Sequence, residues 1–309
     1  MDRSTWTRGG WNVGRLVLAA FVVEALLAGG NGIAVRFSNR ELPPLWGASL
    51  RFWLAALLLA SLMIGLKLAL PRGRALVGSL IYGLLQFAGA FGLMYYALVN
   101  VQAGLGQTLL ALVPLAALLL AVAQRQERLR AASVVGALLG LAGVALMSLG
   151  PLGQQIPLLS LLAILGSVLC FGQALVVVRR FPPVHPVAMN AVGMAASAVV
   201  LLGASVLFGE VREVPRLTST WVALGYVSAI GSVVVFLLYV YVVQRWSASR
   251  ASYVMVLIPF VTVALSAWLD KEPITSGLVF GGALVLAGVY FGALRPSKAL
   301  RPAHPAPAS

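Results

Sequence analysis

The sequence predicts an all-α integral membrane protein with ten transmembrane helices, arranged as two inverted five-helix repeats. Three observations carry this prediction: the apolar composition, the spacing of long apolar windows, and the likeness between the two halves of the chain. Of the 309 residues, 61% are hydrophobic and 10% are charged, whereas about a quarter of the residues in soluble domains are charged. A soluble globular protein is therefore excluded.

Ten apolar windows follow one another along the chain, each close to the length of about 20 residues that an α-helix needs to cross a bilayer. They are too long for transmembrane β-strands, which need only about 10 residues. The first window is expected to stay in the chain and not to act as a cleaved signal, because it is long and contains Glu24. The windows, numbered as segments 1 to 10, are 14–35, 44–66, 75–98, 101–123, 131–150, 157–178, 186–208, 219–243, 251–269 and 275–294.

The net charge of +14 is distributed unevenly among the predicted loops. If the N-terminus lies in the cytoplasm, most Lys and Arg residues fall on the inner side, as in the loop RQERLR after segment 4. This bias predicts a multi-pass protein of the cytoplasmic (inner) membrane, with a cytoplasmic N-terminal segment 1–13 and a cytoplasmic tail 295–309. The tail is rich in Pro and Ala and is expected to be disordered. The charge thus indicates membrane orientation and gives no support for a nucleic-acid partner.

The second half of the chain repeats the first at an offset of 145 residues. Each copy, 14–150 and 157–294, holds five segments, so the second copy must insert in the opposite orientation. Inverted repeats that exchange conformations around a midplane site are typical of secondary transporters. The aligned pairs are Pro114 and Pro259, Glu127 and Glu272, Gly136 and Gly281, and Gly143 and Gly288.

The two copies resemble the EamA family of the drug/metabolite transporter superfamily. The resemblance lies in LPPLWGASLRFWLAALLL in segment 2, a central Pro in segments 4 and 9, a Glu in the following loop, and a small-residue segment ending in AGV. It implies a ten-helix basket, a cavity lined mainly by segments 1, 3, 4, 6, 8 and 9, alternating access, and often export of amino acids or related metabolites. In AGGNGIAVR, Asn31 is retained, but Ala28 stands where the family usually has Trp. This departure predicts a cavity of altered shape.

Segment 1 carries a carboxylate, Glu24, at its midpoint. Glu24, Ala28 and Asn31 are spaced i, i+4, i+7 and therefore share one helical face. Because a carboxylate facing lipid is costly, this face is expected to point into a polar cavity. Glu24 either forms a structural ion pair with Arg51 of segment 2 or carries a proton between two access states. Arg51 is either a structural anchor or a ligand for a substrate carboxylate.

Other polar side chains within the segments are candidates for lining the same cavity, although each alone is more often an interhelical hydrogen bond than a ligand contact. Pro114 and Pro259 interrupt their helices and are candidates either for gating kinks or for fixed kinks. Aromatic residues near segment ends, such as Tyr95, Trp221 and Trp268, are interpreted as interfacial anchors. The candidate substrate- or proton-binding residues are Glu24, Asn31, Arg51, Tyr82, Gln86, Gln107, Thr108, Gln173, Tyr239 and Tyr253.

Motifs of other function classes are absent from the sequence. It contains no H-E-x-x-H, P-loop or G-x-S-x-G pattern, and its histidines, His185 and His304, fall in a loop and in the tail. The lone Cys170 excludes a cysteine metal cluster. We therefore predict a protein that is not an enzyme and needs neither a metal nor another cofactor.

The leading hypothesis is a secondary active transporter that exports a small polar metabolite, such as an amino acid or a related compound, through the lipid bilayer. Proton coupling through Glu24 is a further hypothesis. The alternatives are a multidrug or organic-cation exporter and a non-transport membrane scaffold. Small-xxx-small patterns that begin at Gly136 and Gly288 fit either packing between the repeats or a homodimer.

Overall fold

The computed structural model describes residues 5–126, 131–148, 156–178, 180–245 and 254–291, and these residues form helices and short connections without any strand. Residues 5–13 of the predicted N-terminal segment are part of the first helix, whereas the tail 295–309 lies outside the described residues. The helices are α1 Thr5–Asn39, α2 Pro44–Gly65, α3 Arg74–Ala97, α4 Ala103–Ala123, α5 Ala131–Ser148, α6 Leu158–Val178, α7 Pro186–Leu207, α8 218–245, α9 Val254–Leu269 and α10 Ser276–Val289.

Seven of the described helices, α1 to α4 and α6 to α8, are long and apolar enough to cross a membrane. Shorter apolar stretches, Val134–Met147, Leu257–Leu269 and Ser276–Val289, fall within the predicted segments 5, 9 and 10. The all-helical membrane fold class is thus confirmed for the described part of the chain. The count of ten membrane crossings stays a prediction.

The main contacts between the two halves of the chain follow the sequence repeat, when α1 to α5 are matched in order with α6 to α10. The most extensive interhelical contacts join α2 to α7 and α5 to α10. Helix α1 packs against α9 as α6 packs against α4, and α3 packs against α7 as α8 packs against α2. The sequence repeat is therefore also a structural repeat, in which α1 to α5 correspond to α6 to α10.

Helices α5 and α10 are antiparallel, and glycines bring their backbones into direct contact. A Cβ atom added to Gly143 would lie 2.5 Å from the carbonyl oxygen of Gly281, and one added to Gly288 would lie 2.5 Å from that of Gly136. The repeat makes these two contacts equivalent, since it aligns Gly143 with Gly288 and Gly136 with Gly281. Small residues allow such close approach of membrane helices. Both glycine-containing faces thus pack between the repeats, and the homodimer stays a prediction.

Helices α3 and α8 each contain a π-helical stretch at corresponding places in the two repeats. The stretches are Leu84–Phe91 in α3 and Tyr226–Val234 in α8. In a π-helix the backbone hydrogen bond reaches five residues along the chain, and such turns are frequent at functional sites. The apolar periodicity of the sequence contains no signal for them, and we did not predict them.

A network of charged side chains ties together the loops at one end of the bundle. The Nε atom of Arg36 lies 2.9 Å from Asp270 Oδ2 and 3.0 Å from Glu272 Oε1. Arg40 also pairs with Asp270. The Glu272 carboxylate accepts a hydrogen bond from the backbone N–H of Ala103 at 3.0 Å, at the start of α4, where the helix dipole favours negative charge. The network links the end of α1, the start of α4 and the connection between α9 and α10.

Two more carboxylates at this end bind helix starts that are distant in sequence. Glu210 accepts hydrogen bonds from the backbone N–H groups of Leu45 and Trp46, at 3.1 and 2.8 Å, at the start of α2. Glu41 accepts one from Leu217 N–H at 3.1 Å, just before α8. We call Arg36, Arg40, Glu41, Glu210, Asp270 and Glu272 the carboxylate network. It joins four connections that the charge pattern places on the outer side.

Candidate functional site

A cavity of about 250 Å³ lies inside the bundle, slightly below the range of about 300–1,000 Å³ typical of ligand pockets. Its lining comes from α1, α3, α4, α6, α8 and α9, the helices that the family resemblance implied. The structure adds Arg51 and Phe52 of α2 and Met194 of α7. Both halves of the chain therefore contribute to the cavity wall.

Most of the polar residues singled out in the sequence meet at this cavity. Thr108 is not among the lining residues, and its hydroxyl donates to the carbonyl oxygen of Gly104 within α4 at 2.8 Å. Gln173 also lies apart, where its Oε1 accepts from Gln124 Nε2 at 2.7 Å. Tyr253 lies outside the described residues. The candidates that line the cavity are Glu24, Asn31, Arg51, Tyr82, Gln86, Gln107 and Tyr239.

The glycines just before Asn31 let two neighbouring helices approach α1 closely. A Cβ atom on Gly29 would lie 2.7 Å from Cβ of Val261 in α9, and one on Gly30 would lie 2.8 Å from the ring of Tyr226 in α8. The Tyr226 hydroxyl donates to the carbonyl oxygen of Leu27 at 2.6 Å. This close packing surrounds the face of α1 on which Glu24, Ala28 and Asn31 all reach the cavity.

Glu24 is a buried acid, with only 3% of its surface exposed. Its Oε2 atom has no hydrogen-bond partner among the described residues. Tyr239 of α8 lies close enough to interact electrostatically with it. Burying an unpaired charge costs on the order of several kcal/mol, so an ionised carboxylate at this place needs a counter-charge or water to stabilise it. Among the described residues no cation pairs with Glu24, and its role in proton exchange stays a prediction.

Arg51 is 1% exposed and forms no ion pair with Glu24 within the described residues. Its Nε atom donates to Ser232 Oγ at 3.1 Å, and its Nη2 atom donates to Asn31 Oδ1 at 3.5 Å. The guanidinium carbon lies 4.4 Å from the centre of the Phe91 ring, within the range of cation–π attraction. These contacts hold the guanidinium towards α8 and α3, so the structural ion pair considered from the sequence is not made in this conformation.

Aromatic rings form much of the remaining wall. The Phe91 and Phe171 rings meet edge to face with centroids 5.1 Å apart, and Phe87 meets Tyr82 in the same way at 5.9 Å. Sequence reasoning missed the phenylalanines that line the cavity, because a Phe on an apolar helix carries no sign of the face it occupies. It also missed Ser232, which lies in the π-helical stretch of α8.

The interpretation of Tyr95 as an interfacial anchor is wrong. The residue is completely buried, because the last turns of α3 pack against α2 and α6. Its hydroxyl interacts electrostatically with Arg51, although the two groups lie outside hydrogen-bond geometry. Trp221 and Trp268, by contrast, are exposed as the interpretation requires.

The two prolines occupy different surroundings. Helix α4 is interrupted after Leu110 and resumes at Val113, immediately before Pro114. Helix α9 continues through Pro259 without a break. Val113 and Ile258, the residues before the two prolines, both line the cavity. Their role in gating stays a prediction.

The chain resembles known proteins along almost its whole length. The EamA-like transporter family matches residues 15–149 and 158–293. An Escherichia coli K12 protein named as an uncharacterized inner membrane transporter, YedA, is 28% identical over 279 residues, which cover 88% of this chain and 90% of that protein. An uncharacterized transporter of Archaeoglobus fulgidus is 27% identical over 280 residues, covering 83% of this chain and 91% of that protein.

A solved crystal structure superposes with a TM-score of 0.65 at 21% identity, covering 91% of this chain and 98% of that one, and so shares its fold. The two family matches coincide with the two structural repeats, and together they span most of the sequence. The chain is therefore a membrane transporter and belongs to the EamA-like transporter family of the drug/metabolite transporter superfamily.

Proposed function

We propose that the chain is a secondary active transporter that exports a small polar metabolite, such as an amino acid or a related compound, across the cytoplasmic (inner) membrane. Both termini lie in the cytoplasm in this proposal, as the charge pattern predicts. The observation that carries it is a cavity between two structurally equivalent repeats, lined by the buried acid Glu24 and the buried base Arg51. A scaffold has no need of such groups at its centre, because buried charges are costly.

Alternating access is the transport mechanism that this arrangement favours. Two equivalent repeats in opposite orientations have two equivalent ways of packing, each of which exposes the centre to one side. In the present conformation the carboxylate network joins the loops beyond the Arg51 end of the cavity. We propose that these contacts close the outer side and break when the cavity opens outward.

Glu24 is the proposed site of proton coupling. Its side chain lines the cavity and has an oxygen without a hydrogen-bond partner among the described residues. When the cavity opens to the more acidic side, Glu24 takes up a proton, and when it opens to the other side, the proton leaves. Net movement of substrate against this proton flow makes the protein an antiporter.

The direct test uses the full chain, purified and reconstituted in inside-out vesicles. Uptake of amino acids, nucleosides and organic cations is measured with and without an imposed pH gradient. The proposal predicts that at least one compound accumulates only when the gradient is present. If no compound accumulates above protein-free vesicles, the export function is wrong.

The carboxylate network predicts strong coupling between Arg36 and Glu272. Glu272 is buried and Arg36 is half-buried, and the carboxylate also binds the start of α4, so removing either partner takes away an ion pair that is largely shielded from solvent. In a double-mutant cycle on unfolding in detergent, Arg36→Gln and Glu272→Gln should couple by about 1–3 kcal/mol. The exposed Arg216–Glu213 pair is the control, and its coupling should stay below about 1 kcal/mol. If the two coupling free energies are equal, the Arg36–Glu272 pair is no stronger than an exposed ion pair. The proposal that the carboxylate network closes the outer side would then be contradicted.

One observation favours a second candidate function, an organic-cation exporter. An acidic side chain and several aromatic rings line the cavity, and together such groups attract cations. The buried guanidinium of Arg51 opposes this reading, because it repels a cation that enters the same space. The same vesicle assay separates the two functions, since its panel contains both kinds of compound.

A further inference from the structure

The guanidinium of Arg51 is a buried positive charge without a carboxylate partner among the described residues. It is 1% exposed, and its hydrogen bonds go to Ser232 and Asn31, which are both neutral. A buried charge normally pairs with an opposite charge, because desolvation is otherwise uncompensated. Glu24 lines the same cavity but leaves the guanidinium without a counter-charge.

The hydrogen bonds of this guanidinium are incomplete among the described residues. Nε and Nη2 are engaged, whereas Nη1 has no hydrogen-bond partner among the described residues. Nη1 is itself buried, and the Tyr95 hydroxyl interacts with the guanidinium. Arg51 nevertheless lines the cavity, so a carboxylate held there lies beside a positive charge that has no counter-charge among the described residues. Asn31 and Ser232 fix the orientation of the guanidinium, as does its contact with the Phe91 ring at 4.4 Å.

The wall beside the guanidinium is apolar and aromatic. The rings of Phe52 and Phe91 lie 5.5 Å apart, and Phe171 meets Phe91 at 5.1 Å. Phe87 joins the same group. Such a wall suits the hydrocarbon or aromatic body of a ligand, whereas the guanidinium suits a planar anionic group such as a carboxylate.

We propose that the Arg51 end of the cavity is an anion subsite that binds the carboxylate of a compound with an apolar or aromatic body. Arg51 supplies the charge, and Asn31 and Ser232 are positioning residues. The proposal deepens the proposed function and rests on it, because it names the substrate class of the same cavity. It assigns Glu24 to the proton, so the substrate needs no amine.

The test measures equilibrium binding of three matched probes to the purified full chain in nanodiscs, without any pH gradient. The probes are 3-phenylpropanoate, 3-phenylpropanamide and 3-phenylpropylamine, which share a body and differ in the head group. The carboxylate should bind at least about tenfold more tightly than the amide or the amine, a difference that corresponds to about 1.4 kcal/mol. Equal binding of the three, tighter binding of the amine, or no saturable binding of the carboxylate overturns the subsite.

Variants of Arg51 test whether this residue causes the preference for the carboxylate probe. Arg51→Gln should abolish it, and Arg51→Lys should weaken it, because the ammonium keeps the charge but loses the planar fork. If Arg51→Gln fails to fold, Ser232→Ala provides the test, since it removes the Nε acceptor and should reduce the preference for the carboxylate. Thr108→Val should leave the preference unchanged, because Thr108 does not line the cavity and its hydroxyl bonds within α4. The proposal is contradicted if folded Arg51→Gln keeps the full preference for the carboxylate probe. If Arg51→Gln does not fold, the same result with Ser232→Ala contradicts it.

The binding experiment separates this inference from the export function. If the protein prefers the carboxylate probe but transports nothing in vesicles, the anion subsite is supported and the export function is contradicted. If the protein shows gradient-driven transport but no preference for the carboxylate probe, the anion subsite is contradicted and the export function is supported.

Discussion

Replacement of Glu24 by Gln is expected to abolish the response of transport to a pH gradient while leaving the protein folded. Gln has nearly the same shape as Glu but cannot release or bind a proton in the relevant range. The carboxylate lines the cavity, is 3% exposed and lacks a partner for Oε2 among the described residues. Removal of its charge therefore breaks no ion pair within the described residues, and the folded protein should tolerate the change.

The measurement compares gradient-driven uptake by the wild type and by Glu24→Gln, each in vesicles of matched protein content. Exchange of labelled for unlabelled substrate without a gradient checks whether binding and movement survive. Glu213→Gln is the control, because it makes the same chemical change on an exposed loop. Gradient-driven uptake by Glu24→Gln equal to that of the wild type would show that Glu24 is structural.

Replacement of Gly143 by Ala is expected to destabilise the fold strongly. The new Cβ would lie 2.5 Å from the carbonyl oxygen of Gly281 and 2.9 Å from the backbone nitrogen of Val285. Both atoms belong to the backbone of α10, so they cannot move aside as the end of a flexible side chain can. The two helices must separate, at a cost of about 1–3 kcal/mol, typical of overpacked interiors.

Gly203→Ala is the matched control for this change. Gly203 lies within α7 with open space around it, so the added methyl group meets no neighbour and favours the helix. Thermal unfolding and size-exclusion chromatography in detergent should show a lower midpoint and less monodisperse protein for Gly143→Ala only. Identical behaviour of the two variants would contradict the direct backbone contact between α5 and α10.

The sequence was informative wherever one helix decided the outcome. The i, i+4, i+7 spacing of Glu24, Ala28 and Asn31 predicts that they share one helical face. Because an acid in lipid is costly, that face was expected to point inward, and all three residues line the cavity. Periodicity and charge cost act within one segment, so they can be read without the rest of the fold.

The sequence did not predict the surroundings of a side chain where they depend on a neighbouring helix. Tyr95 has the position of an interfacial anchor, but α2 and α6 cover it. Thr108 lies one residue from the cavity-lining Gln107, yet its hydroxyl bonds within its own helix. The π-helical stretches change which residues of α3 and α8 face inward, and no periodic pattern indicates them. These outcomes depend on packing between segments, which residue types alone do not specify.

The central claim is that the cavity opens alternately to the two sides of the membrane. Ala28 lines it, so Ala28→Cys in a Cys170→Ser background reports its accessibility to a small, membrane-impermeant thiol reagent in oriented vesicles. The account predicts labelling from both sides, with the rate from the outer side raised by Glu272→Gln and the two rates shifted in opposite directions by a pH gradient. Labelling from one side only, under every condition, would contradict alternating access through this cavity.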